Sequence, residues 1–174
     1  FTHAIATMGT AITSEHVGIL KRFTQHVTVI YDGDTPGQNA ASKAAAELQA
    51  QGMQASIVSL PDNHDPDSFV KQFGAEKFAE QIKDAVQVTD FELNRVVAQY
   101  DMSSLEQRVA GLHKMIDILA NIPDSIQREQ YAMKVLSYHP AGFTNAPNAL
   151  EQIHREVLKV QRERQDQARR REMY

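Results

Sequence analysis

Between Val27 and Leu60 the chain runs through two apolar, β-branched segments with an alanine-rich stretch between them. The segments are Val27-Thr28-Val29-Ile30-Tyr31 and Ala55-Ser56-Ile57-Val58-Ser59-Leu60. Such segments read as strands, and a helical stretch between two strands points to a right-handed parallel crossover. The connecting helix is expected from about residue 36 to 51. Pro36 at its first turn is preorganised and loses no needed donor. Thr35 and Gln38 have the spacing of a capping box. Ala40, Ala41, Ala44, Ala45 and Ala46 are small enough for close approach to a sheet, and Gly52 offers a C-terminal cap.

A third strand is expected earlier, at residues 4–8, ending at Gly9-Thr10. A helix should follow, capped by Thr13 or Ser14, with Glu15 in its first turn and Val17, Ile19, Leu20 and Phe23 on its apolar side. After Asp67 the β signal stops. Residues 68–73 and 76–84 read as short helices around Gly74. From Thr89 every strong pattern is helical. Leu105, Val109, Leu112, Met115, Ile116 and Leu119 are spaced mostly by three and four, and Ile126, Tyr131, Met133, Val135 and Leu136 form a further segment. Pro140-Ala141-Gly142 interrupts, and a last helix should start near Pro147. The expected fold is α/β followed by all-α: a parallel sheet with flanking helices over residues 1–87, then a helical bundle with a basic tail over 88–174.

Each strand of the crossover is followed by an acidic pair, Asp32-Gly33-Asp34 and Asp65-Pro66-Asp67. In open α/β sheets ligands bind beyond the carboxyl ends of the strands, where both pairs fall. Mg²⁺ takes oxygen ligands, commonly one or two carboxylates together with waters and substrate phosphates. Asp32 and Asp34 would share one side of an extended segment, and Gly33 leaves room for a phosphate. Taken singly, either pair reads as ordinary turn chemistry. Two pairs placed alike favour a metal site. Asp32-Gly33-Asp34-Thr35 also resembles the start of a haloacid-dehalogenase motif, but Pro36 stands where that pattern needs Thr or Val. A receiver-type phosphoacceptor fits poorly with the helical second half.

Composition narrows the classes. The net charge is −4, with seven Lys/Arg against twelve Asp/Glu in residues 1–100 and seven against five in 151–174. Bulk charge therefore does not mark a nucleic-acid binder. The absence of cysteine excludes disulfides and thiolate metal sites. No apolar run is long enough for a bilayer-spanning helix, no signal peptide is visible, and a cytoplasmic place is expected. Phe1 at the start is read as the sign of a piece of a longer chain. Among the histidines, His16 is read as capping or packing. His26, His64, His113, His139 and His154 lack metal-ligand spacing and are taken as surface or structural. Arg169-Arg170-Arg171 reads as a solvated helix end complementing the dipole.

These motifs together resemble the replicative DNA primases of bacteria. The resemblance is carried by Ala6-Thr7-Met8-Gly9-Thr10, Glu15-His16, Tyr31-Asp32-Gly33-Asp34-Thr35-Pro36-Gly37 and Leu60-Pro61 through Asp65-Pro66-Asp67. It extends to Ile122-Pro123, Arg128-Glu129 and Tyr131-Ala132, covering roughly residues 4–140. The match is to the later part of the family's TOPRIM domain, a metal-binding fold shared with topoisomerases, and to the bundle after it.

The resemblance implies a polymerase that makes short RNA primers from ribonucleoside triphosphates on single-stranded DNA at the replication fork. By position it implies Asp32, Asp34, Asp65 and Asp67 as catalytic residues holding Mg²⁺, with Mn²⁺ as a substitute, and Gly9, Thr10 and Gly33 beside the phosphates. The family's TOPRIM glutamate, its zinc-binding domain and its template-gripping basic subdomain are expected upstream of Phe1. Thr35 stands where the family often has a basic residue. The family's helicase-binding domain is expected outside this chain, and the fragment alone is expected to be inactive. Rival readings are another TOPRIM protein, such as a nuclease or topoisomerase part, and a non-catalytic module whose bundle docks a protein or DNA.

Overall fold

A computed structural model describes residues 3–7, 11–61, 64–141 and 144–172. They form two compact units, residues 1–91 and 92–174. In the first, helix α1 (Ser14–Leu20) precedes strand β1 (His26–Ile30), helix α2 (Thr35–Ala50), strand β2 (Gln54–Val58), helix α3 (Pro66–Lys83) and strand β3 (Val86–Gln87). β1 and β2 pair in parallel, from His26 opposite Gln54 to Ile30 opposite Val58. β3 adds to the other edge of β2 in the antiparallel sense, with Ser56 opposite Gln87 and Ile57 opposite Val86.

The crossover follows from local chemistry. Thr13 caps α1 in a capping box completed by the His16 ring, so His16 is a capping residue. α2 starts one residue earlier than the Thr35–Gln38 pattern suggests. Asp34 is its N-cap, and its carboxylate accepts from Gly37 N at 2.7 Å. The Gln38 side chain reaches back instead to the Gly33 carbonyl at 3.1 Å. At the other end Gly52 adopts φ 78°. Gly52 N donates to Gln49 O and Met53 N to Leu48 O, the pair of bonds that closes a helix through a left-handed glycine.

β2 is buried along Ala55–Val58 because both faces are covered. On one face Val29, Ala55 and Ile57 pack with Ala41, Ala44, Ala45 and Leu48 of α2, together with Val17, Val88 and Phe91. The alanine stripe is thus a close-packing surface. On the other, Val58 and Leu60 pack with Phe69 and Phe78 of α3. Buried Ser56 is satisfied by His26 at 3.0 Å and Thr28 at 3.2 Å. Gly74, at φ 84°, breaks α3 into the two short helices expected from sequence.

The strand expected at residues 4–8 is not formed. Residues 4–7 are irregular and Ile5 is 73% exposed, while Met8 lies outside the described residues. A strand exists only through its ladder, and β-branched composition without a paired neighbour does not hold one. β3 was missed for the converse reason. Two residues carry no periodicity, and only their pairing with Ser56 and Ile57 makes them a strand.

The second unit is all helical. Helix α4 (Val88–Gln99) leads into it and is followed by α5 (Leu105–Leu119), α6 (Ser125–Val135) and α7 (Ala146–Glu172), with a 3-10 turn at Leu136–Tyr138. Its core joins Leu93 and Val96 to Met115 and Leu119 of α5, Tyr131 and Val135 of α6, and Ile153 and Val157 of α7. Ser104 and Asp124 cap α5 and α6. Arg128 donates to the Ile122 carbonyl at 2.7 Å and closes the turn between them. Buried His139 is structural, bonded to Gln152 and to Ala141 N. Arg169–Arg171 form the exposed last turn of α7, the position that complements the helix dipole.

Candidate metal centre

Both acidic pairs sit where a strand hands the chain to a helix. Asp32 lies two residues beyond β1, and Asp65 opens α3 after the loop that leaves β2. The two loops are joined directly: Gly33 N donates to the His64 carbonyl at 2.9 Å. The contact is too close for any side chain at residue 33. A Cβ there would fall 2.2 Å from the Pro61 carbonyl oxygen and 2.6 Å from that of Leu60. Gly37 is constrained in the same way, since a Cβ would meet the Asp32 carbonyl oxygen at 2.2 Å. Gly33 therefore lets its loop lie directly against Leu60 and Pro61, and Gly37 lets the first turn of α2 lie against Asp32.

The pairs are built alike. Asp34 caps α2, and Asp65 caps α3 in a capping box with Ser68. Asp65 accepts from Ser68 N at 2.7 Å, and Asp65 N donates to Ser68 Oγ at 3.0 Å. The Ser68 N–H holds the Asp65 carboxyl below its usual range, with the Ser68 hydroxyl, Asp67 N–H and the Lys71 charge acting in the same direction. Each capping bond uses one carboxylate oxygen and leaves the other outside it. Asp32 and Asp67, the remaining members, are exposed. Asp67 holds Lys71 Nζ at 2.6 Å, one turn along α3. That bond, then the Asp67 charge and the Asp65 charge, raise the Lys71 ammonium above the usual lysine range. Two helix N-termini also open here, adding partial positive charge where an anion would approach.

Hard carboxylate oxygens on two adjoining loops suit an ion such as Mg²⁺, which needs only one or two protein carboxylates beside water and phosphate. Among the described residues, however, no three acidic or histidine side chains are gathered into a metal-holding group. The residues fit the ion as a partial set, with two of the four aspartates already engaged as helix caps. His64 contributes its carbonyl to the loop junction, while its ring packs edge-on against Phe69 and Phe73. Gly9 and Thr10, expected beside the phosphates, lie outside the described residues. The capping role of Asp34 and Asp65 and the Asp67–Lys71 pair were missed from sequence. Asp-x-Pro before a helix, Asp-x-x-Ser and an i, i+4 acid–base spacing were the available signals.

Comparison with known proteins places this architecture. Residues 1–70 match a Toprim-like family model, and residues 89–135 match the DnaB-helicase binding domain of primase. The DNA primase of Haemophilus influenzae is 33% identical over 160 residues, 87% of this chain and 27% of that protein. The RNA polymerase domain of Mycobacterium tuberculosis primase DnaG, solved in complex with double-stranded DNA, superimposes with TM-score 0.64 at 27% identity, covering 76% of this chain and 44% of that one. A DnaG primase catalytic domain bound to single-stranded DNA gives TM-score 0.55 at 28% identity, covering 73% and 42%.

Fold and site thus define a Toprim-like α/β unit continued by a primase-type helical unit. The chain belongs to the bacterial DnaG-type primases, and spans only 22–27% of the length of the first curated relatives it matches. The expectation that the helicase-binding part lies wholly outside the chain is corrected by the match over 89–135. Ile122-Pro123, Arg128-Glu129 and Tyr131-Ala132, which carry the resemblance in sequence, lie inside that stretch, but by themselves they mark only a helical bundle. Among the described residues no helix is long and apolar enough to cross a membrane.

Proposed function

We propose that this chain is the metal-bearing and adjoining helical part of a cytoplasmic enzyme that makes short RNA primers on single-stranded DNA from ribonucleoside triphosphates. Asp32, Asp34, Asp65 and Asp67 are the residues that would hold its Mg²⁺, two of them also serving as helix caps, and Gly33 brings their loops together. The observation that carries this reading is the Gly33 N to His64 O bond, which joins two loops, each bearing an acidic pair, beyond the ends of parallel strands. A bound divalent ion supplies charge for the triphosphate and for the attacking hydroxyl. The chain's own residues do the positioning. Asp34 and Asp65 are fixed by their helices, Gly33 keeps the loops close, and the helix N-termini favour phosphate. The test is primer synthesis by the full-length parent. Asp32→Asn or Asp67→Asn should lower it by at least about 100-fold, the scale of losing an electrostatic stabiliser, without loss of folding. Near-normal primer yield would reject the assignment.

The helical unit has a second role in this reading. The match over 89–135 supports a replicative helicase as its partner. Exposed Ile126 and Met133, seven residues apart on α6, are the apolar surface that helix offers. Ile126→Glu with Met133→Glu should weaken association with the helicase at least about tenfold, the cost of losing one interface anchor. Unchanged association would remove this role from α6.

A further inference from the structure

We propose that the arginine-rich end of α7, Arg162 with Arg169, Arg170 and Arg171, is a sequence-independent contact for the phosphates of single-stranded DNA. The choice of single-stranded DNA rests on the proposed function, while the arginines themselves need neither the carboxylates nor the helicase surface. The docked part of α7 ends with Val157 and Val160, which reach the core, and with Gln161 and Arg164. Gln161 Nε2 donates to the Ala120 carbonyl at 3.1 Å, and Arg164 donates to Asn121 Oδ1 at 2.5 Å and to Asp117 Oδ1 at 3.3 Å. Residues 165–171 stay helical and are all exposed. A helical stretch that is polar all round has no core to serve, so packing does not explain its composition.

That composition is one-sided. Residues 162–172 hold five of the chain's ten arginines and none of its eight lysines, against three acids, while the rest of the chain has thirteen basic residues against nineteen acidic. Complementing the helix dipole needs positive charge alone, which lysine supplies equally well. Arginine adds a planar fork that grips a phosphate through two parallel hydrogen bonds. The basic residues of the docked part are engaged within the unit: Arg155 lies 3.8 Å from Glu151, Lys159 lies 3.8 Å from Glu156, and Arg164 holds Asp117. Among the described residues no ion pair engages Arg162, Arg169, Arg170 or Arg171. Three consecutive arginines stand about 100° apart around a helix. They do not make the single stripe that a flat acidic surface would meet, but a flexible strand can bend around them. Arg162, about two turns back on the side of Arg169, extends the track.

The test is anisotropy titration of a labelled oligothymidylate with the 174-residue chain, at salt from about 50 to 200 mM. Arg169→Gln, Arg170→Gln and Arg171→Gln together should weaken binding at least about tenfold at low salt. They should also lower the slope of log affinity against log salt by about two, the share of three phosphate contacts on a single strand. The variant should stay folded by circular dichroism. Lysine at the same three positions should keep the slope and recover only part of the affinity, which separates the fork from the charge. Arg155→Gln with Lys159→Gln, on the docked part, should match wild type. No binding by wild type, an unchanged slope in the glutamine variant, full affinity with lysine, or an equal loss in Arg155→Gln with Lys159→Gln would overturn the proposal. So would displacement of the strand by polyglutamate at equal charge, which would make the end a general polyanion surface. The carboxylate reading stands or falls separately, on primer yield from Asp32→Asn and Asp67→Asn.

Discussion

Asp34 has two duties that a single substitution confounds. Its carboxylate accepts from Gly37 N and so anchors the first turn of α2. Asp34→Ala should therefore cost about 0.5–2 kcal/mol through the lost cap, against the expectation from charge repulsion alone that removing one ligand is harmless. Asp34→Asn keeps the cap and should fold within a few tenths of a kcal/mol of wild type, yet still weaken Mn²⁺ binding. Urea denaturation beside Mn²⁺ titration separates the two. Asp65 adds a pH dependence of definite sign. Hydrogen bonds from Ser68 lower its folded pKa below the ordinary 3.8. Its contribution to stability is therefore complete above that value and is lost as pH falls through the folded pKa. Denaturation followed from pH 5 to pH 2 should show a loss of stability in wild type that is smaller in Asp65→Asn, which caps without titrating. Equal losses would mean that the Ser68 bonds do not favour the ionised form.

At the scale of elements, the geometry of α3 turns on one residue. Gly74 takes φ 84° with nothing within 4 Å of where a Cβ would stand, so any penalty for a side chain there is conformational rather than steric crowding by neighbours. Gly74→Ala should destabilise by about 1–3 kcal/mol, the cost of an extended positive-φ backbone that is essentially reserved for glycine. Chemical denaturation measures it, and a neutral or stabilising result would show that the break is not needed to seat Phe69 and Phe78 together against Val58 and Leu60. The kink was legible because Gly74 stands between two short apolar segments. Strand β3 was not, because its two residues become a strand only through Ser56 and Ile57.

For the whole molecule, the expectation is folded protein without primer synthesis. The described residues gather no three metal-ligating side chains, and productive metal geometry needs ligands held to within about 0.5 Å. A primer-synthesis assay on single-stranded DNA with Mg²⁺ or Mn²⁺, run beside the full-length parent, should give template-dependent product from the parent alone. Robust product from these 174 residues would show that they hold a complete site. The sequence by itself determined the parallel crossover, the helices from Leu105 to Val135 and the positions of the acidic pairs. Each of these is written in short-range periodicity, in β-branched runs and in residues next to a strand end. Only the tertiary structure decided that residues 4–7 are not a strand, that β3 runs antiparallel, and that Gly33 meets His64. The same holds for the use of Asp34 and Asp65 as helix caps and of Asp67 as the partner of Lys71. Those outcomes depend on which backbone groups find each other across tens of residues, and pairing of that kind leaves no local trace in the order of side chains.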